Sequence, residues 1–345
     1  MTERVARLIR EMPKGENHIH IEGSIPARTA LRLGKRNGVA LPFDSEAGMK
    51  EFIAKNVVDL NSFMKCDRLV NSVCLNEQDY YEVVYDLGED AKRQNIVYQE
   101  LHLDYPLNEE RGIPIDVVMK GYEAGRQAVL KDFGVEIVFI AGIDRSLPPE
   151  QCTAFVRNLE PYLDMVDAVG MDCEEQGYPC VLHKEAYEIA GKMGLFKTAH
   201  AGEDDGCQNI WDAIDILGCQ RVDHGVRAID DPALVRELAD RKILLAMCTR
   251  SNNMTRLFPT PADHSIKPLM DAGVLCSISS DDPPYVGDLL WEYEGVVENL
   301  GFGEDKLIEL ARNSLAYSIK GQHHLPAFDD WVKAWKAEQN ALAVF

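Results

Sequence analysis

A (β/α)8 barrel, of the α/β class, is the fold that this sequence predicts, and three observations predict it. Short apolar runs alternate with longer stretches of helical periodicity along the whole chain, eight such runs can be placed, and unusual polar residues sit where the runs end. Strands that alternate with helices pair in parallel through right-handed crossovers, and eight of them suit a closed barrel better than an open sheet.

The first run is Glu16–Ile21. The long interval after it, residues 22–95, shows helical patterns at Pro26–Gly38 and Gln78–Gln94, and reads as a helical insertion over one barrel face. The remaining strands are Ile96–Leu103, Val135–Ala141, Val166–Met171, Phe196–His200, Arg221–His224, Ile243–Cys248 and Val274–Ser279. Between them, Pro114–Lys131, Cys180–Met193, Ile210–Leu217 and Pro232–Arg241 carry apolar residues near i, i+3, i+4 spacing, the mark of an amphipathic helix. The tail, Glu304–Phe345, is helical in pattern, and Trp331 and Trp335, one turn apart, are expected to pack against the barrel. No repeat, low-complexity run or Gly/Ser linker marks a boundary, so residues 1–345 are expected to form one domain.

Charge and composition narrow the function. The chain has 36 Lys+Arg against 57 Asp+Glu, a net charge of −21, which argues against nucleic-acid and anionic-membrane partners because neither polyanion gains from meeting an acidic surface. No stretch approaches the 18 or so apolar residues of a membrane span, and the start lacks the apolar core of a secretory leader. Nine cysteines, scattered and without a CxxC, read as reduced thiols. A cytoplasmic protein acting on a small molecule is expected; a homo-oligomer is left open.

The polar residues at the strand ends are the candidates for chemistry, because in a (β/α)8 barrel those ends share the face that carries the active site. His18 and His20 close the first strand, and period-two geometry puts both rings on one side of it. Alone, the pair fits either two ligands of one zinc ion or two satisfied histidines. His200-Ala201-Gly202-Glu203 is a strand end followed by a tight turn, with Glu203 facing the same space or capping the turn. Asp223-His224-Gly225 ends the sixth strand, and Asp281-Asp282-Pro283 follows the eighth, where the acids could equally start a helix. Together these positions supply three His and one Asp as zinc ligands, a free Glu as proton donor and a free His as base, the make-up of a catalytic zinc site with an open position for water.

In order and spacing these blocks resemble the adenosine and adenine deaminase family. Pro13-Lys14-Gly15-Glu16-Asn17-His18-Ile19-His20-Ile21-Glu22-Gly23 is similar to its opening Pro-Lys-Ala-Glu-Leu-His-x-His block. His200 to Glu203 is similar to its His-Ala-Gly-Glu block, Asp223 to Gly225 to its His-Gly block, and Asp281 to Pro283 to its Asp-Asp-Pro block. The resemblance spans Met12 to about Leu315. It implies a zinc barrel, with one Zn2+ per chain held by His18, His20, His200 and Asp281, that replaces the amine on purine carbon 6 with oxygen. It implies further that His224 takes the proton of the attacking water and orients the hydroxide, that Glu203 protonates ring nitrogen 1, and that Asp282 bonds ring nitrogen 7. His20-Ile21-Glu22 also matches half of the cytidine-deaminase signature, but no PCxxC accompanies it. The modified Lys of binuclear relatives has no counterpart in Val169–Glu175.

For the substrate, Asp172-Cys173-Glu174-Glu175 followed by Gly177 and Pro179 resembles free-base adenine deaminases more than nucleoside-specific members, and Glu22 in place of Asp leans the same way. Glu175 is expected to accept a hydrogen bond from the imidazole N–H of adenine and to stand where a ribose would lie. Adenosine or a modified 6-aminopurine is the alternative substrate, and a non-catalytic purine-binding barrel is the alternative of another class. Two blocks depart from the family: Cys248-Thr249-Arg250-Ser251-Asn252 lacks its proline and gains a cation, and Pro284 stands where adenine-type members carry Ala. Arg250 is expected to meet either an anionic group such as a phosphate or a surface carboxylate.

Overall fold

The computed structural model describes residues 1–342. One parallel sheet holds, in order, β1 (Lys14–His20), β2 (Ile96–Leu103), β3 (Glu136–Asp144), β4 (Ala168–Asp172) and β5 (Phe196–Lys197). A second holds β6 (His200–Ala201), β7 (Arg221–His224), β8 (Leu244–Met247) and β9 (Leu275–Ile278). Every pairing is parallel. Backbone bonds join the two sheets at both seams. Gln220 N–H donates to Lys197 O (2.9 Å) at one, while Asp281 N–H donates to His18 O (3.2 Å) and His20 N–H to Asp281 O (3.0 Å) at the other. The strands therefore succeed one another around a (β/α)8 barrel in chain order, buried on both faces, which is why they read as near-continuous apolar runs.

The expected strand Phe196–His200 is split into β5 and β6. Thr198 N–H still bonds Val169 O on one side (3.0 Å), whereas Ala199 O already accepts from Asp223 on the other (2.9 Å). The chain changes neighbours halfway along, and residue types alone do not reveal such a switch. The helix expected at Pro232–Arg241 is found there, and those at Pro114–Lys131 and Cys180–Met193 are found at Ile115–Phe133 and as a 3₁₀ turn leading into Lys184–Lys192. Ile210–Leu217 instead begins as one α turn, Gln208–Trp211, and widens into a π turn over Asp212–Leu217.

The insertion after β1 carries the two expected helices, now Ala27–Asn37 and Glu77–Arg93, and two more, Glu46–Asn56 and Leu60–Asn71. Each of these last two starts at a side-chain cap: Ser45 accepts from Gly48 N (3.1 Å), and Asp59 from Ser62 N (2.8 Å). At the other end of the chain Trp331 and Trp335 stack 5.5 Å apart, with Trp335 buried and Arg7 over its ring, so the pair packs as expected. Ala343–Phe345 of the expected helical tail lie outside the described residues.

A buried charge network ties the strands together inside the ring. Arg221 on β7 bonds Glu100 on β2 and Asp223 (2.9 Å), and Glu100 also accepts from Tyr98 Oη (2.8 Å) and Ile319 N (2.6 Å). All three charged groups are fully buried. Removing one member leaves the others charged in a dry interior, so Arg221→Leu should lower the unfolding free energy by about 3–5 kcal/mol, read from urea denaturation.

Candidate metal and catalytic site

Strand register brings the polar residues level with one another. His20 pairs with His102, Ala201 with His224, and Asp144 with Asp172, so the C-terminal ends of the strands open onto a common cavity. That cavity measures about 930 Å³ with its solvent mouth included. His20, His200, Glu203, His224, Asp281 and Asp282 line it, and Phe63 and Met64 of the insertion cover it.

Two of these residues hold backbone conformations that side-chain-bearing residues avoid. His224 has φ 63° and Asp281 φ 61°, a left-handed geometry that costs on the order of 1–3 kcal/mol each. Surrounding bonds over-determine both. Asp281 is tied to β1 through its N–H and its carbonyl, and Gly225, itself at φ 68°, keeps the turn after His224 clear of Leu245.

His18, His20, His200 and Asp281 converge on one point. His20 Nε2 lies 3.2 Å from both His18 Nε2 and His200 Nε2, and Asp281 Oδ1 lies 3.2 Å from His18 Nε2 and 3.5 Å from His20 Nε2. Ligands about 2.0–2.1 Å from a tetrahedral metal stand about 3.3 Å apart, so the set has the edge lengths of a metal cage. Among the described residues the outer nitrogens of His18 and His200 have no hydrogen-bond partner, whereas Nδ1 of His20 faces Asp104 Oδ2 at 3.4 Å. A carboxylate behind a ligating imidazole fixes its tautomer and raises its basicity. The four residues fit a divalent metal. His102 and Asp172 form a second grouping that shares His20; the fully buried His102 ring has no hydrogen-bond partner among the described residues, with Asp223 Oδ2 3.5 Å from its Nε2.

Glu203 and His224 face each other across this point, with Oε2 to Nε2 at 3.5 Å. Burial and the neighbouring Asp281 charge push the Glu203 carboxyl well above the usual carboxylate range. Asp282 is likewise pushed well up, by burial and by Asp281. Gly23 makes room for it: a Cβ there would sit 1.7 Å from Asp282 Oδ1.

Two expected substrate contacts are corrected. Glu175 does not line the cavity. It is 2% exposed, and its oxygens accept from four successive backbone N–H groups: Gly202 (2.6 Å), Glu203 (2.9 Å), Asp204 (3.1 Å) and Asp205 (3.2 Å). The turn after β6 presents these donors in one direction, an anion nest that the carboxylate fills. Glu22 does not line the cavity either. Its carboxylate accepts from Tyr122 Oη (2.8 Å) and Asp104 N (3.0 Å), and burial with the Asp104 charge pushes it up to about 8. Both residues hold pieces of the site in place.

The Cys248–Asn252 block also proves different from expectation. Arg250 forms no salt bridge with a carboxylate among the described residues; its Nε–H bonds Val286 O (2.7 Å) and its guanidinium stacks 4.9 Å from the Trp291 ring. The buried Glu292 gathers Thr249 N (3.1 Å), Thr249 Oγ1 (2.6 Å) and Arg250 N (2.9 Å), which starts the short helix Thr249–Met254. From that helix Asn252 reaches His224, with Nδ2 3.2 Å from Nδ1, and its Oδ1 lies 3.1 Å from His264 Nε2. His264 Nδ1 in turn accepts from Ile266 N (3.1 Å), and burial pushes this ring down to about 3. Asp104, Asn252 and His264 were absent from the residues singled out for chemistry, although Asn252 lies in a block that was noticed.

The adenosine deaminase family model matches residues 13–335. Over 311 residues the chain is 37% identical to an adenine deaminase of Cupriavidus necator, covering 90% of this chain and 88% of the other. Among solved structures, the adenine deaminase of Arthrobacter aurescens superposes with a TM-score of 0.88 at 28% identity, covering 93% of this chain and 99% of the other. An amidohydrolase from Burkholderia ambifaria with bound Zn gives a TM-score of 0.86 at 26% identity, covering 99% and 94%.

The Glu175 clamp makes a prediction that needs no substrate. Glu175→Gln replaces one accepting oxygen by an amide that opposes the loop N–H groups. Amide exchange over 202–205 should speed up about 10- to 100-fold, as expected for losing a charge-assisted bond worth about 1.5–3 kcal/mol, measured by hydrogen exchange with mass detection.

Proposed function

The chain belongs to the adenosine deaminase family, and from that premise we propose that it is a zinc-dependent hydrolase of a 6-aminopurine, converting adenine and water to hypoxanthine and ammonia. The convergence of three imidazoles and a carboxylate beside the facing pair of Glu203 and His224 carries this reading. The preference for adenine rests on the named activity of the relatives and not on Glu175, whose carboxylate is taken up by the loop beneath Glu203.

His18, His20, His200 and Asp281 would hold one Zn2+ per chain, as N/O ligands suit that metal. The ion supplies Lewis acidity, which lets water ionise near neutral pH. Glu203 gives its proton to ring nitrogen 1, which draws electrons from carbon 6 and opens it to attack. Asp282 donates its proton to ring nitrogen 7 in a hydrogen bond that orients the ring. His224 aligns the attacking oxygen, and Asp281, whose Oδ2 lies 3.9 Å from His224 Nε2, takes the proton that the water gives up. The bond from oxygen to carbon 6 forms and the bond from carbon 6 to the amine breaks. The proton held by Asp281 goes to the departing amine, which leaves as ammonia. The hydroxyl proton on carbon 6 returns to Glu203, which leaves the carbonyl of hypoxanthine and restores the acid.

The second reading is adenosine or a modified 6-aminopurine. It is favoured by the open cavity and by the absence of Glu175 from its lining. Metal analysis with ammonia release from adenine and adenosine, side by side, tests both. About one zinc per chain with adenine preferred supports the first; adenosine preferred transfers the assignment to the second. Zinc with no ammonia from either, or from a panel of modified 6-aminopurines, overturns hydrolysis and leaves a purine-binding barrel.

Glu203→Gln keeps the shape and removes the proton donor. Turnover should fall on the order of 10²- to 10⁴-fold while the metal content stays at its wild-type value, read from steady-state kinetics and elemental analysis of the same preparation.

A further inference from the structure

Resting on the hydrolytic reading above, we infer that Asn252 and His264 fix the His224 proton on Nε2, so that His224 serves as a hydrogen-bond donor to the attacking oxygen. This replaces the proton-removing role expected from the sequence.

The constraint starts at a group whose role cannot change. The backbone N–H of Ile266 can only donate, and it points at His264 Nδ1 from 3.1 Å. That nitrogen is therefore an acceptor, and the single proton of a neutral His264 lies on Nε2. Burial keeps the ring neutral. His264 Nε2–H then donates across 3.1 Å, so the Asn252 atom it meets is the carbonyl oxygen. This settles the direction of the amide, whose two ends are otherwise alike in shape. Its NH2 group is turned to His224 Nδ1 at 3.2 Å, and His224 must accept there.

A neutral His224 accepting at Nδ1 carries its proton on Nε2. Nε2 is the nitrogen that faces the reaction space, 3.5 Å from Glu203 Oε2 and 3.9 Å from Asp281 Oδ2. Moving the proton to Nδ1, or adding a second one to make the imidazolium, would set two N–H groups against each other at 3.2 Å. All three side chains are buried, at 1%, 0% and 2% exposure, so solvent is not at hand to relieve that conflict. Turning the amide would place its NH2 against His264 Nε2–H, and turning His264 would break its bond to Ile266. Asn252 and His264 are positioning residues that act through His224. They also give the Cys248–Asn252 block a part in the reaction.

Asn252→Asp tests this without changing shape. One carboxylate oxygen still accepts from His264, and the other calls for a proton on His224 Nδ1, which strips Nε2 of its donor. Protein labelled with ¹⁵N in the histidine rings, loaded with zinc and free of substrate, would be compared by NMR. The His224 signals are assigned by their loss in His224→Gln. Expected is an unprotonated Nδ1 and a protonated Nε2 in the wild type, the reverse in N252D, and a kcat for N252D lowered on the order of 10²- to 10³-fold, as for loss of one preorganised donor. KM and zinc content should stay within about twofold. A wild-type spectrum with the proton on Nδ1 overturns the inference, and so does an N252D that reverses the tautomer with kcat intact. Should N252D fail to fold, the wild-type spectrum decides alone. The spectrum is read without substrate, so a failure to deaminate purines would leave this result standing and would count only against the proposed function.

Discussion

Three imidazole nitrogens and one carboxylate oxygen gathered around His20 and His18 at 3.2–3.5 Å, all within 4.8 Å of one another, are the constraint on which the rest of the site depends. Nitrogens at that distance cannot all satisfy one another, because each ring has one proton at most to offer when neutral. A divalent cation resolves the conflict by taking every lone pair at once. The barrel supplies the precision. His18 and His20 share a side of β1 through the two-residue period, β6 delivers His200 from a strand that changes neighbours just before it, and Asp281 is drawn in by two backbone bonds to β1. Those two bonds also join the sheets, so the metal ligand and the seam of the barrel are one structural feature.

Carboxylates crowd the same mouth. Asp67, Asp104, Asp172, Asp281, Asp282 and Glu203 all line it, with Arg68 the cation among the lining residues. Burial and mutual repulsion push several of them upward: Asp67 to about 7, and Asp172, Asp282 and Glu203 well above the usual range. An acid raised far enough to hold its proton can donate a hydrogen bond, which is what the nitrogen acceptors of a purine ring require.

How much of this was legible depended on whether a residue acts through its type or through its surroundings. The period-two His pair, the His before a glycine turn and the strand-end placement follow from spacing, and the structure brings those residues together. Glu175 shows the limit. An acidic residue after the fourth strand suits a ring N–H equally well as a set of backbone N–H groups, and the one-letter code does not display the loop that presents them. The helix Leu60–Asn71 lies outside the expected helices, and its Phe63 and Met64 line the cavity. The left-handed backbone at His224 and Asp281 had no sequence signal at all, since such conformations are looked for at glycine.

The strain at those two positions separates an enzyme from a binding protein built on the same barrel. Each costs on the order of 1–3 kcal/mol, and a purine could be held by apolar walls and a few donors without either. What the strained backbone achieves is orientation of two side chains toward one point. The same investment recurs around them: Glu175 grips the loop of Glu203, Asn252 governs the tautomer of His224, and Asp104 stands behind His20. In each case a buried group spends its hydrogen bonds on the far side of a residue assigned to the reaction, and leaves the near side free. Affinity alone does not call for such support, whereas a transition state does, because charge that develops during the reaction is stabilised best by groups that need not move to meet it.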